Sequence, residues 1–226
     1  CNTDTTFSTC TIVAGTWFKG KEYDKIGRYD NVVSNDTTSY GCDSIVIYTL
    51  NVVPDSSRNV FYVKQQGTGK ETGSDWENAI SAKDFAFVLG NLQSDSVTFY
   101  IAAGTYKPDS VYSKQEKGVY FANANIKGVS IIGGFPSHVK SDTLPDPEKY
   151  ETIFRSEDKS AQCFAPYDIN FYGVVFESPI VVSFSEDLLT TFEKCTFRDM
   201  DPALNAVSRK CVVYHTQTAK SVIEFR

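Results

Sequence analysis

Ser96-Val97-Thr98-Phe99-Tyr100-Ile101-Ala102-Ala103-Gly104-Thr105-Tyr106 is the stretch that decides how this 226-residue chain is read. Its side chains alternate between inward and outward positions with the period of a β-strand, and Gly104 then supplies a turn. A loose unit of short strand, turn and short strand returns downstream. Its instances are Gly118-Val119-Tyr120-Phe121, Val129-Ser130-Ile131-Ile132-Gly133-Gly134-Phe135, Thr152-Ile153-Phe154, Asn170-Phe171-Tyr172-Gly173-Val174-Val175-Phe176, Phe192-Glu193-Lys194-Cys195-Thr196-Phe197 and Ser221-Val222-Ile223-Glu224-Phe225. The returns fall mostly roughly 20–30 residues apart, within the window of solenoid repeats, so residues 97–226 supply about five turns.

Stacked turns are covered only by their neighbours, so such a stack needs a cap. Just upstream, Ser81-Ala82-Lys83-Asp84 resembles a capping box, and Phe85, Val88, Leu89 and Leu92 follow at i, i+3, i+4 and i+7. The spacing predicts a helix over 82–92 with one apolar face, suited to plug the first turn. Before it, Gln66-Gly67-Thr68-Gly69-Lys70 contains Gly-x-Gly, but no Lys-Ser/Thr pair opens a helix behind it, so it reads as a surface turn.

Val53-Pro54-Asp55-Ser56-Ser57 ends a strand and supplies a turn, which divides the chain into 1–56 and 57–226. The first part contains short strand-like runs at Thr11–Val13, Gly15–Phe18, Gly27–Tyr29 and Ser44–Val52. Lys19-Gly20-Lys21, Ser34-Asn35-Asp36 and Tyr40-Gly41 punctuate them as turns, in a small β-sandwich-like pattern. So small a module buries little core, which makes Cys10 and Cys42 candidates for a disulfide closing a loop of about 30 residues and contributing ~2–4 kcal/mol. Two free, buried thiols are the alternative.

Apolar residues make up 41% of the chain and aromatics 14%, enough for a packed core. With 22 Lys+Arg against 28 Asp+Glu the net charge is −6, and no basic run is present to neutralise a phosphate backbone, which argues against nucleic acid as a partner. An acidic polymer is repelled too, unless a cation bridges it. No apolar run approaches the ~20 residues of a membrane-spanning helix. Six Cys and a single Met suggest an oxidising, extracytoplasmic compartment. The sequence begins at Cys1, the position that carries the acyl chains in a mature bacterial lipoprotein, although a boundary falling on Cys by chance reads the same.

Two resemblances add to this. Tyr40-Gly41-Cys42-Asp43-Ser44-Ile45-Val46 with Leu50-Asn51-Val52, Cys10 and Gly27-Arg28-Tyr29-Asp30 resembles the immunoglobulin-like modules repeated in Bacteroidetes surface proteins. That resemblance implies a spacer or display module with no active site. Tyr62-Val63, Ser74-Asp75-Trp76-Glu77-Asn78-Ala79, Ile101 to Pro108, Ile131 to Phe135 and Asp146 to Ile153 look, in that order, like the start of the pectin-lyase-like, right-handed parallel β-helix proteins of bacterial surfaces. The expected fold is therefore all-β: an Ig-like β module over 1–56, then a short right-handed parallel β-helix over 57–226 with an N-terminal capping α-helix.

Parallel β-helices host polysaccharide lyases and hydrolases, whose sites need converging carboxylates. Asp142, Asp146 and Glu148, Glu157-Asp158, Glu186-Asp187, and Asp199 with Asp201 are close in sequence, but none has the alternation that holds two carboxylates on one strand face. His138 and His215 are not spaced with Cys or each other as metal ligands. Cys163, Cys195 and Cys211 form no CxxC and read as buried thiols or as one disulfide. No catalytic, metal-binding or cofactor-binding residue is assigned, and no cofactor is expected. Tyr112, Tyr167 and Tyr172 are the candidate aromatics for stacking on a sugar face or peptide, with packing within the sheets as the alternative.

The expected function is that of a non-catalytic lipoprotein, anchored in the outer membrane through Cys1 and exposed at the cell surface, that binds a glycan or peptide. By analogy with the families resembled, it adheres or serves as accessory subunit of a nutrient-uptake complex, beside a TonB-dependent transporter and its surface lipoprotein. The alternative is a polysaccharide lyase or glycoside hydrolase. The last run, Ile223-Glu224-Phe225-Arg226, has no capping segment after it, so a covering partner or a longer chain is expected at that end.

Overall fold

The computed structural model describes residues 4–37, 43–108, 120–121, 125–141, 143–157, 163–165, 168–178, 180–182, 189–198, 213–215 and 222–225. The described chain is mostly strand, as expected of an all-β protein, and it divides into two compact units, Cys1–Asp55 and Ser56–Arg226.

In the first unit, β1 (Asp4–Val13), β2 (Thr16–Phe18), β3 (Lys21–Tyr23), β4 (Gly27–Thr37) and β5 (Asp43–Val53) build a three-stranded sheet in the order β1-β5-β4 and a β2-β3 hairpin. β1 runs parallel to β5, while β4 runs antiparallel to it. The hairpin side holds the core: Tyr23, Leu50 and Val52 are buried, with Cys10, Ile12, Phe18, Tyr29 and Val32 packed against them. Ser34-Asn35-Asp36, expected to be a turn, lies inside β4 and pairs with Val46, Ile45 and Ser44. An edge strand tolerates such residues because its backbone ladder forms whatever side chains it carries. The break falls earlier, at a bulge around Asn31, whose φ of 59° is left-handed.

The staple expected at Cys10 is not formed, since Cys10 carries a free thiol. Cys10 lies opposite Leu50, and the seven steps back along β5 to Asp43, at ~3.3 Å each, cover roughly 23 Å, whereas a disulfide needs Cα atoms within about 7 Å. Cys42 itself lies outside the described residues.

The second unit opens with β6 (Val60–Lys64), a 3₁₀ turn over Trp76–Asn78, β7 (Ile80–Ser81) and α1 (Ala82–Gly90). Asp75 caps the 3₁₀ turn by accepting from the Glu77 and Asn78 amides. Ser81 caps α1 by accepting from the Asp84 amide while its hydroxyl donates to the Asp84 carboxylate at 2.8 Å. Phe85, Val88 and Leu89 are buried as their spacing predicts, and Ala86 and Phe87 are buried with them, so the covered face is wider than the sequence pattern suggested; α1 ends at Gly90 with Asn91 as its cap, so Leu92, also buried, lies beyond the helix expected over 82–92.

From β8 (Thr98–Ala102) the chain makes repeated circuits of three strands each. β8, β9 (Gly104–Tyr106) and β10 (Tyr120–Phe121) are followed by β11 (Val129–Phe135), β12 (Thr152–Phe154) and β13 (Phe164–Ala165). Then come β14 (Ile169–Tyr172), β15 (Val174–Phe176) and β16 (Ile180–Val182), and after them β17 (Leu189–Glu193), β18 (Thr196–Phe197), β19 (Val213–His215) and β20 (Val222–Phe225). Each strand pairs in parallel with its counterparts one circuit away. The result is three sheets: β20-β17-β14-β11-β8-β6-β7, β18-β15-β12-β9 and β10-β13-β16-β19. Of the third sheet the sequence reading named only the run that contains β10, because its strands are two or three residues long, too short to show a period.

Register aligns like residues into columns. Phe61, Phe99, Ile131, Phe171 and Phe192 form one buried column, with the Phe171 and Phe192 rings stacked 5.2 Å apart. Tyr106, Phe154, Phe176 and Phe197 form a second, in which the three Phe rings are stacked and Tyr106 is tilted against Phe154. Phe85 of α1 meets both, with its ring 5.2 Å from Phe99 and 6.2 Å from Phe154.

Candidate functional site

The alternation that sends Phe171 inward sends its neighbours out, so the same register builds columns on the outward face of the long sheet. Thr98, Ser130, Asn170 and Thr191 form the middle of one that runs from Val60 to Glu224. These four side chains are uncharged hydrogen-bonding groups, and over three rung spacings of about 4.8 Å they extend roughly 14 Å. The Thr191 hydroxyl donates to the Asn170 carbonyl oxygen at 2.7 Å, which fixes the exposed amide.

Beside it runs the column Tyr62, Tyr100, Ile132, Tyr172 and Glu193. Its first part is roofed: Trp76, Phe135 and Val139 are buried with Tyr62, Tyr100 and Ile132 packed against them. Tyr172 stands one circuit beyond, half-buried, with the Lys194 ammonium 5.4 Å from its ring centroid. A hydrogen bond to the Tyr172 side chain raises the Lys194 ammonium above its ordinary value. Of the three nominated tyrosines, Tyr172 is the one the structure places; Tyr112 and Tyr167 lie outside the described residues, as does Cys1.

The acidic groups considered from sequence have local roles where described. The Asp146 carboxylate accepts from the Lys149 amide, and Glu157 pairs with Lys107 at 2.8 Å. Glu148 is exposed. Asp142, Asp158, Glu186, Asp187, Asp199 and Asp201 lie outside the described residues. His138 is exposed in a turn, and His215 stands on β19 in register with Val182. Burial pushes the Cys163 thiol up, and the Cys195 thiol up to about 11, which makes both poor nucleophiles at neutral pH. Cys211 lies outside the described residues. Among the described residues no group of three His, Cys, Asp or Glu side chains gathers as a metal site, and no helix is long and apolar enough to cross a membrane.

One charged cluster escaped the sequence reading. Glu177, almost buried, takes guanidinium hydrogen bonds from Arg155 and Arg198 at 3.3 Å each. Arg198 also grips Glu151 through two bonds of 2.6 and 2.8 Å. That hydrogen bonding holds the Glu151 carboxyl below its ordinary range and Arg198 above its own. The signal was present in Phe154-Arg155, Phe176-Glu177 and Phe197-Arg198: a charged residue follows the column aromatic on successive circuits, and only the register brings the three together. These carboxylates are engaged by guanidinium groups, which suits a structural clamp rather than a proton donor.

Searches against protein-family models, curated proteins and solved structures find no match to this chain.

Proposed function

We propose that the chain is a non-catalytic binding protein displayed at a cell surface. In this reading the larger unit is a short right-handed parallel β-helix plugged by α1, and the smaller is an immunoglobulin-like module. The parallel circuits with their inner aromatic columns support the first assignment, and the resemblance around Gly41-Cys42-Asp43-Ser44-Ile45-Val46 supports the second. Cys1 carries a lipid anchor in the outer membrane, and the protein works as an adhesin or as accessory subunit beside a TonB-dependent transporter and its surface lipoprotein.

The observation that carries the binding reading is the outward face around Asn170, Tyr172 and Thr191. Uncharged hydrogen-bonding side chains lie there against an aromatic ring, with Glu224 and Glu193 following them in the two columns. A sugar ring presents the same pair of surfaces, an apolar face and a hydroxyl edge, so a glycan chain laid across the strands is the ligand class that fits.

Titration calorimetry against a panel of glycan oligosaccharides tests this. A stacking ring is worth about 1 kcal/mol, so Tyr172→Ala should weaken binding roughly fivefold, with a similar loss for Asn170→Ala. Thr105→Ala, on the outward side of the neighbouring sheet, should change nothing. Absence of binding across the panel, or binding indifferent to both site variants, overturns the reading. Mass spectrometry of protein extracted from native membranes tests the anchor, and an unmodified Cys1 removes it.

A further inference from the structure

The smaller unit has one sheet face that none of its described residues covers. The hairpin packs over the side of the β1-β5-β4 sheet that bears Leu50 and Val52. On the opposite side Phe7, Ile47 and Val33 stand in one row across the three strands, since Phe7 pairs with Ile47 and Ile47 with Val33. Phe7 is 79% exposed and Val33 57%. Phe7 is itself one wall of a groove lined also by Ser8, Thr9, Asp30, Asn31, Ile47 and Thr49. The β4 bulge accompanies it, because Asp30 and Asn31 fall together where a regular strand has one residue, opposite Thr49. Arg28 and Asp30 neutralise each other on this face through a 2.9 Å ion pair.

We propose that this face is a self-association surface, on which the Phe7 ring of each of two copies enters the groove of the other. A protruding ring and a recess on the same patch are self-complementary about a twofold axis, which gives a closed dimer rather than a filament. Among the described side chains of this face, the Arg28–Asp30 pair adds no net charge to repel a second copy of an acidic chain. Three strands ~4.8 Å apart and about ten residues long at ~3.3 Å each present roughly 450 Å² per copy. Two such faces bury on the order of 900 Å², close to the lower limit of a specific interface and in the range of weak, concentration-dependent contacts. A second copy thus supplies the missing layer that a one-sided sheet requires, and the smaller unit is more than a spacer.

Sedimentation velocity of the full chain, from low micromolar to several hundred micromolar, tests the proposal. A monomer–dimer equilibrium is expected. Phe7→Ser removes the ring and Thr49→Trp fills the recess; each should weaken the dimer at least about tenfold, as expected of a central aromatic contact. Leu144→Ser, at an exposed residue of the larger unit, should leave it unchanged. Circular dichroism checks the fold, and should one of the two variants fail to fold, the other decides. A chain that sediments as monomer at every concentration overturns the proposal, and so does a dimer that neither Phe7→Ser nor Thr49→Trp weakens.

Discussion

Thr152 shows how a single buried hydroxyl holds a corner of the larger unit. It donates to the Ile101 carbonyl at 3.2 Å and accepts from the Gly134 amide at 3.1 Å, joining adjacent circuits with no exposure to solvent. Thr152→Val keeps the shape but strands the Gly134 donor, which should cost about 1–3 kcal/mol in urea unfolding. Gly134 is constrained in its own right: its φ is +89°, and an added Cβ would lie 2.8 Å from the Pro147 nitrogen. At this scale the sequence was partly legible. The period of two in Asn170-Phe171-Tyr172 puts one aromatic on each side of the sheet, with Phe171 1% exposed. What alternation cannot supply is partner identity. Cys10 looked like half of a staple because spacing along a chain says nothing about register, and the parallel pairing of β1 with β5 set Leu50 opposite it.

Among elements, stability rests on columns rather than on individual strands. Phe154 touches Phe176 within its column, Tyr120 on the neighbouring sheet and Phe85 on the helix, all with ring centroids within 6.2 Å. Phe154→Ala should therefore cost ~3–5 kcal/mol, measured by the shift of the urea midpoint at unchanged slope. The helix and its cap were readable because Ser81, Asp84 and the apolar spacing are local features; the clamp of Glu151, Arg155, Glu177 and Arg198 was not, because its members meet only through register. That clamp carries a pH signature. The Glu151 carboxyl is held below its ordinary ~4.3, so its contribution is complete above that value and is lost as pH falls through the folded-state pKa. Its side chain is 44% exposed, which limits the effect to about 1 kcal/mol or less. Glu151→Gln should lower the melting temperature slightly at pH 7, with the difference from wild type closing as pH falls below about 4.

For the whole molecule, the two units differ in how much core each sheet can claim. The first gathers Tyr23, Leu50 and Val52 against one side of one sheet, whereas the second encloses two aromatic columns between sheets and helix. Val53-Pro54-Asp55-Ser56-Ser57, read as a strand end and a turn, lies where the chain divides into the two compact units, between Asp55 and Ser56. The recurrence of the circuits was legible too, but not their lengths: Thr98, Ser130, Asn170, Thr191 and Glu224 occupy equivalent rungs at uneven sequence spacing. The stretch from Pro136 to Glu151 alone, between β11 and β12, shows why, since it adds length without adding a rung. Local stability should follow the core rather than the number of strands. Amides of Phe99, Ile101, Ile131 and Phe171 sit on inner strands with neighbours on both sides, and they open only in the larger unfolding events. Amides of β1 and β4 lie on edge strands over a small core, and should exchange orders of magnitude faster at neutral pH. Hydrogen exchange with peptide-level resolution measures both in one experiment. Raising the protein concentration adds a second expectation: if two copies meet through Phe7, protection of β1 and β4 rises with concentration while that of Phe99 and Ile131 stays fixed, because mass action stabilises only what the second copy touches.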